Sequence, residues 1–150
     1  MAEPNVLTAA QERTLSSVLD VVIPPTGDGK LRGAGQLGVG CYIGEVLKKM
    51  PALQPVFREG LDAVDKLAGE RGAAEFAALP SEDQLAILMA QPFVHLLAFH
   101  AFAAYYQHPS VLEALGVPPR PPHPKGYELG PNDLSLVEAV RKRGPRYRTV

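Results

Sequence analysis

Apolar residues recur along most of the chain at spacings of three and four. Leu15, Val18, Leu19 and Val22 fall at i, i+3, i+4 and i+7, which predicts a helix over residues 7–23 with one apolar face. Thr8 and Gln11 have capping-box spacing at its start, and Pro24-Pro25 ends it, because a proline disfavours helical geometry in the residue before it. After a loop rich in glycine, Val39, Tyr42, Ile43, Val46, Leu47 and Met50 form a second stripe, stopped by Pro51. Phe57, Leu61, Val64, Leu67 and Ala68 predict a third helix over residues 55–70, closed by Gly69 and Gly72. Residues 73–79 suit one short helical turn.

Ser81 and Gln84 repeat the capping-box spacing, and Glu82 and Asp83 suit the positive end of a helix dipole, so a fourth helix is expected from there to Gln91-Pro92. Residues 93–106 are apolar nearly all round, the pattern of a central and most buried helix. A short helix over residues 111–115 follows, with Gly116 placed as its left-handed cap. The pattern then breaks. Residues 117–131 hold six prolines, including Pro118-Pro119 and Pro121-Pro122, which predicts an extended, polyproline-like arm. A brief helix over residues 133–143, capped by Asn132 or Asp133, precedes a basic end. No internal repeat and no alternating strand pattern is present. The reading is an all-α chain: one small bundle of five to six main helices over residues 1–116, and a proline-rich and basic C-terminal arm over 117–150.

Composition narrows the function classes. Of 150 residues, 21% are charged and 46% hydrophobic, an ordinary globular balance rather than that of a disordered chain. A single cysteine, Cys41, excludes an intrachain disulfide and a Cys-rich zinc site. No stretch approaches the roughly 20 apolar residues of a bilayer span. Met1-Ala2-Glu3-Pro4-Asn5 lacks the basic and apolar regions of a signal peptide. The expectation is a cytoplasmic protein, or a periplasmic one whose export signal has been removed or is carried by a partner. Five basic residues lie between Arg141 and Arg148, while the 140 residues before them carry 10 basic and 16 acidic ones. A cationic tail on an acidic body argues for docking onto an acidic protein surface, or a solvated end, before nucleic acid.

Candidate chemistry is sparse. Gly33, Gly35 and Gly38 spell G-x-G-x-x-G before a helix, but Asp28 to Arg32 ahead of them is turn material rather than the strand a dinucleotide site needs. The glycines read instead as a connection that lets backbone pass close to something. His95 and His100 are five apart, roughly 140° around a helix, so they do not chelate one metal from one face. Core or interface roles suit them better. Cys41 near a helix start is expected as a buried small hydrophobe. Glu45, Asp62, Asp65 and Glu82 read as solvated polar faces. No nucleophile–base set is legible. Three classes therefore stand: an accessory subunit, a stand-alone enzyme, and a free-standing helical scaffold or nucleic-acid adaptor acting through the basic C-terminus.

Three stretches carry a resemblance. Leu7-Thr8-Ala9-Ala10-Gln11 leads to Val22-Ile23-Pro24-Pro25-Thr26; then comes Phe76 to Gln84, and then Tyr105-Tyr106-Gln107-His108-Pro109 to Ala114-Leu115-Gly116. In this order they resemble the gluconate 2-dehydrogenase subunit 3 family, the small (γ) subunits of flavin-dependent sugar and alcohol dehydrogenases. Lys125-Gly126-Tyr127 is similar to that family's tail, so the likeness spans roughly residues 7–128. The resemblance implies a non-catalytic partner of a large, FAD-containing subunit of the glucose–methanol–choline type, with a cytochrome subunit in some complexes. FAD is then expected in the partner, and no cofactor or metal in this chain. The small subunit would support folding, flavin loading or export of the large one. Family members often carry a twin-arginine signal; no Arg-Arg pair precedes residue 7 here. A pre-extended arm loses less entropy on docking than a flexible one, so Val117, Pro118, Pro119, Pro121, Pro122, Tyr127 and Leu129 are the expected partner-binding residues.

Overall fold

The computed structural model describes residues 6–117 and 133–144. Among these there are seven α-helices and no strand: α1 (Ala9–Val22), α2 (Val39–Lys49), α3 (Gln54–Glu70), α4 (Ser81–Met89), α5 (Phe93–Tyr105), α6 (Pro109–Ala114) and α7 (Glu138–Arg143). Short 3-10 turns at Pro51–Leu53, Phe76–Ala78 and Leu134–Val137 punctuate them. The all-α expectation holds. The chain divides into two compact units, Met1–Pro119 and Arg120–Val150.

In the first unit, α1 is the hub. It packs against α2, α3, α4, α5 and the Phe76–Ala78 turn. Its capping box forms as its sequence dictates: the Gln11 amide donates to the Thr8 hydroxyl at 3.2 Å, and the Thr8 amide donates to Gln11 Oε1 at 3.1 Å. Leu15, Val18 and Leu19 are buried on its inner face. They join Ile43 and Leu47 of α2, Phe57, Leu61 and Val64 of α3, and Leu97 of α5 in one apolar core. Burial of these side chains drives the assembly, at about 1.5–3 kcal/mol for each large one.

Polar contacts then fix the register of α1 on α3. Gln11 Nε2 donates to Asp62 Oδ1 at 2.9 Å, and the buried Thr14 hydroxyl donates to Asp65 at 2.7 Å. Asp62 and Asp65 therefore do more than solvate a helix face: each satisfies a buried polar side chain 51 residues away in sequence. Between α3 and α5 the approach is close. Gly60 lies against the Phe93 ring, which meets Phe57 edge-to-face with centroids 6.0 Å apart.

Helix ends follow their glycines. Gly72 (φ +78°) and Gly116 (φ +72°) both sit just beyond a helix in the left-handed region. After α6, Gly116 donates to Glu113 O and Val117 to Leu112 O, the paired bonds of a Schellman cap. The cap read at Gly116 is thus present. The box read at Ser81 is not. Pro80 is the N-cap of α4 without a side-chain bond, and Gln84 instead reaches back to donate to the Phe76 carbonyl at 3.0 Å.

The expectation of α5 as the central and most buried helix is corrected. Phe93, Leu97, Ala101 and Tyr105 are buried, but Phe99, Phe102 and Tyr106 stand exposed at 69%, 44% and 49%. Among the described residues α5 packs mainly against α1, α2 and α3, while α1 reaches four helices and the Phe76–Ala78 turn and holds the central position instead. No single helix among the described residues is long and apolar enough to cross a membrane. The α4–α5 pair passes that test only together, and is bent by 109° at the break.

In the second unit, Asp133 caps the 3-10 turn by accepting from the Ser135 amide, and α7 ends with Arg141, Lys142 and Arg143 in its last turn. Leu134, Val137 and Val140 are exposed there.

Candidate partner-binding surface

The glycine-rich loop between α1 and α2 is built onto α1. Asp20 Oδ1 accepts from the amides of Gly35 (2.8 Å) and Gln36 (3.1 Å). A Cβ at Gly33 would run into the Asp20 carboxylate, and one at Gly35 into the Ser16 carbonyl. The close partner of this backbone is therefore α1 itself. A carboxylate already takes the amides that a phosphate would use, and a second anion there meets its repulsion. Tyr105 pins the other side of the loop: its hydroxyl donates to the Arg32 carbonyl at 2.7 Å. Burial holds that hydroxyl's pKa above the ordinary value of 10.0, with Tyr106 adding to the effect.

Two clefts open beside this loop. One, of about 440 Å³, runs between α1 and α2 and is lined by Leu15, Ser16, Gly35, Cys41 and Lys48. The other, of about 540 Å³, has Lys30, Arg32, His108 and Ser110 on its walls. Cys41 is exposed on α2, contrary to its expected burial, because Val39, Ile43 and Leu47 take the inner face and Cys41 lies between them on the outer one. Glu45 pairs with Lys48 at 2.7 Å, which holds its carboxyl below the usual range, and Glu82 is exposed. His108 Nδ1 lies 2.8 Å from the Ser110 hydroxyl, while His95 is exposed and His100 half-buried. Among the described residues no group of three or more His, Cys, Asp or Glu side chains is arranged to hold a metal ion.

Of the residues expected to bind a partner, Val117 is described. Its amide closes the α6 cap and its side chain is exposed. Pro118, Pro119, Pro121, Pro122, Tyr127 and Leu129 lie outside the described residues. The structure adds a surface that the sequence did not single out, the outer face of α5. Phe102 and Tyr106 stack there with their planes 16° apart, and Phe99 meets His100 edge-on at 5.3 Å. Exposed aromatics concentrated on one helix face mark an interaction surface more often than a catalytic one.

The gluconate 2-dehydrogenase subunit 3 family model matches residues 9–115. The chain belongs to this family. The match takes in α1 to α6 and stops short of the Lys125-Gly126-Tyr127 stretch. No curated protein and no solved structure matches the chain.

Proposed function

We propose that this chain is the non-catalytic small subunit of an FAD-dependent sugar or alcohol oxidoreductase complex, and that it stabilises and helps mature the large flavoprotein subunit. Family membership across residues 9–115 is the observation that carries the reading. The large subunit holds FAD and performs hydride transfer; this chain contributes contact surface. Its exposed aromatics, and carboxylates that are engaged within the chain at Asp20, Asp62 and Asp65, fit that division of labour.

Co-expression with the large glucose–methanol–choline-type subunit tests the proposal. The expected result is a stable complex, and a large subunit that is soluble and flavin-loaded only when this chain is present. A large subunit equally soluble and equally yellow without it would overturn the maturation role.

A further inference from the structure

Asp20 takes the Gly35 and Gln36 amides of the glycine-rich loop, but the side chains on the loop's outer flank remain available. The cleft of about 540 Å³ beside it is lined by Lys30, Arg32 and Gln36 of the loop and by His108 and Ser110 at the start of α6. Among the described residues no Asp or Glu lines it. The Arg32 carbonyl accepts from Tyr105, while its guanidinium has no hydrogen bond or ion pair among the described residues. Gln36 accepts from the Gly33 amide through Oε1 at 3.4 Å, which leaves the hydrogens on Nε2 to donate. His108 Nδ1 and the Ser110 hydroxyl, 2.8 Å apart, share one hydrogen. A neutral imidazole and a hydroxyl bring one each, so either tautomer leaves the pair a hydrogen to donate. Lys30 is the one shared cation: Asp28 Oδ2 lies 3.3 Å from its ammonium, in a solvent-exposed and therefore weak pair.

The walls are set before any ligand arrives. Thr26 closes the turn that carries Lys30: its amide donates to the Leu31 carbonyl at 2.9 Å, and its hydroxyl accepts from the Leu31 amide at 3.0 Å. Tyr105 ties Arg32 to α5 at 2.7 Å. Backbone fixed in this way loses little freedom on binding. A lining of donors with an unpaired guanidinium selects an oxyanion. The Arg32 fork, Lys30, Gln36 and the His108–Ser110 pair offer about five hydrogens, more than the roughly four lone-pair sites of a carboxylate. A phosphate has three strongly accepting oxygens and a higher charge. The cleft is also far larger than a bare phosphate needs and has the size of a small-molecule site. Leu31, Leu37 and Val111 supply apolar wall. We propose that this cleft binds the phosphate group of a small organic phosphate, whose apolar part lies against those three side chains. The site belongs to this chain alone and does not depend on the accessory-subunit reading.

The test titrates the full-length chain with phenyl phosphate, inorganic phosphate and benzoate in a calorimeter. Phenyl phosphate should bind with a Kd below about 1 mM. Benzoate, with the same ring and a carboxylate, should bind about tenfold more weakly, and inorganic phosphate severalfold more weakly. Arg32→Ala should weaken phenyl phosphate about tenfold or more. Lys66→Ala, an exposed cation on α3, should leave it unchanged, and both variants should melt with the wild type because neither side chain is buried. No binding of phenyl phosphate at millimolar concentration overturns the proposal. So does binding that survives Arg32→Ala, or that Lys66→Ala weakens equally, since either reports diffuse attraction to surface cations. Benzoate as tight as phenyl phosphate would make the site one for carboxylates. Inorganic phosphate as tight as phenyl phosphate would remove the apolar part of the ligand.

Discussion

At Gly35 the difference between a hydrogen and a methyl decides whether the loop can lie on α1. A Cβ there would meet the Ser16 carbonyl, which is helix backbone and cannot swing aside, and the Asp20 carboxylate that the Gly35 amide donates to. Gly35→Ala should cost about 1–3 kcal/mol of unfolding free energy by overpacking, and Gly27→Ala, where nothing lies within 4 Å, should cost far less. Urea denaturation of the two variants measures the contrast; equal losses would mean the loop does not need its close approach. Tyr105 gives a second test through pH. Its folded pKa is raised, so its contribution is fully present below the unfolded value near 10 and fades as pH climbs through the folded value. Tyr105→Phe, which removes the donor to the Arg32 carbonyl, should cost about 1 kcal/mol at neutral pH. The gap between wild type and variant should narrow only above pH 10. A gap that closes at lower pH would assign it to another group.

At the scale of the element, α5 shows what periodicity cannot deliver. Thirteen residues reading FVHLLAFHAFAAY contain apolar side chains on every face, so hydrophobicity picks out no direction, and only the neighbours decide which side is buried. The amphipathic α1, α2 and α3 had their inner faces legible in the sequence for the opposite reason. The Thr14–Asp65 and Gln11–Asp62 bonds were not legible, because they join residues 51 apart and nothing local marks an exposed-looking carboxylate as an acceptor. The Asp20 clasp was half legible: the glycines announced a close approach and could not name its partner. Two neighbouring substitutions separate the faces of α5. Leu97→Asp buries a carboxylate with no cation to meet it and should destabilise by at least about 3 kcal/mol. Phe99→Asp, two residues on, should change stability by no more than about 0.5 kcal/mol. Thermal melting of both decides it, and similar losses would mean that both faces of the helix are packed.

For the whole molecule the question is how labour divides between the helical body and the proline-rich segment after it. Among the described residues the core of the first unit runs from Leu7 to Val111, and Val117 completes the α6 cap through its amide. Its stability should therefore be indifferent to the residues beyond Val117. Proline density in residues 118–131 disfavours helix, and the sequence-based expectation is a segment suited to lie along another protein. A chain ending after Val117 keeps the Schellman bonds of α6, so its melting temperature should match that of the full chain, and its helical circular dichroism should fall only by the share of α7 and the turn before it. Its complex with the flavoprotein subunit should weaken but persist, since the helical body that the family model matches remains while Tyr127 and Leu129 are gone. Pull-down with full-length and shortened chains at several concentrations reads the difference. Complete loss of the complex would move the main interface to the arm and away from the helical body. Unchanged affinity would leave the proline-rich segment outside the interface, with the helical body carrying all of it.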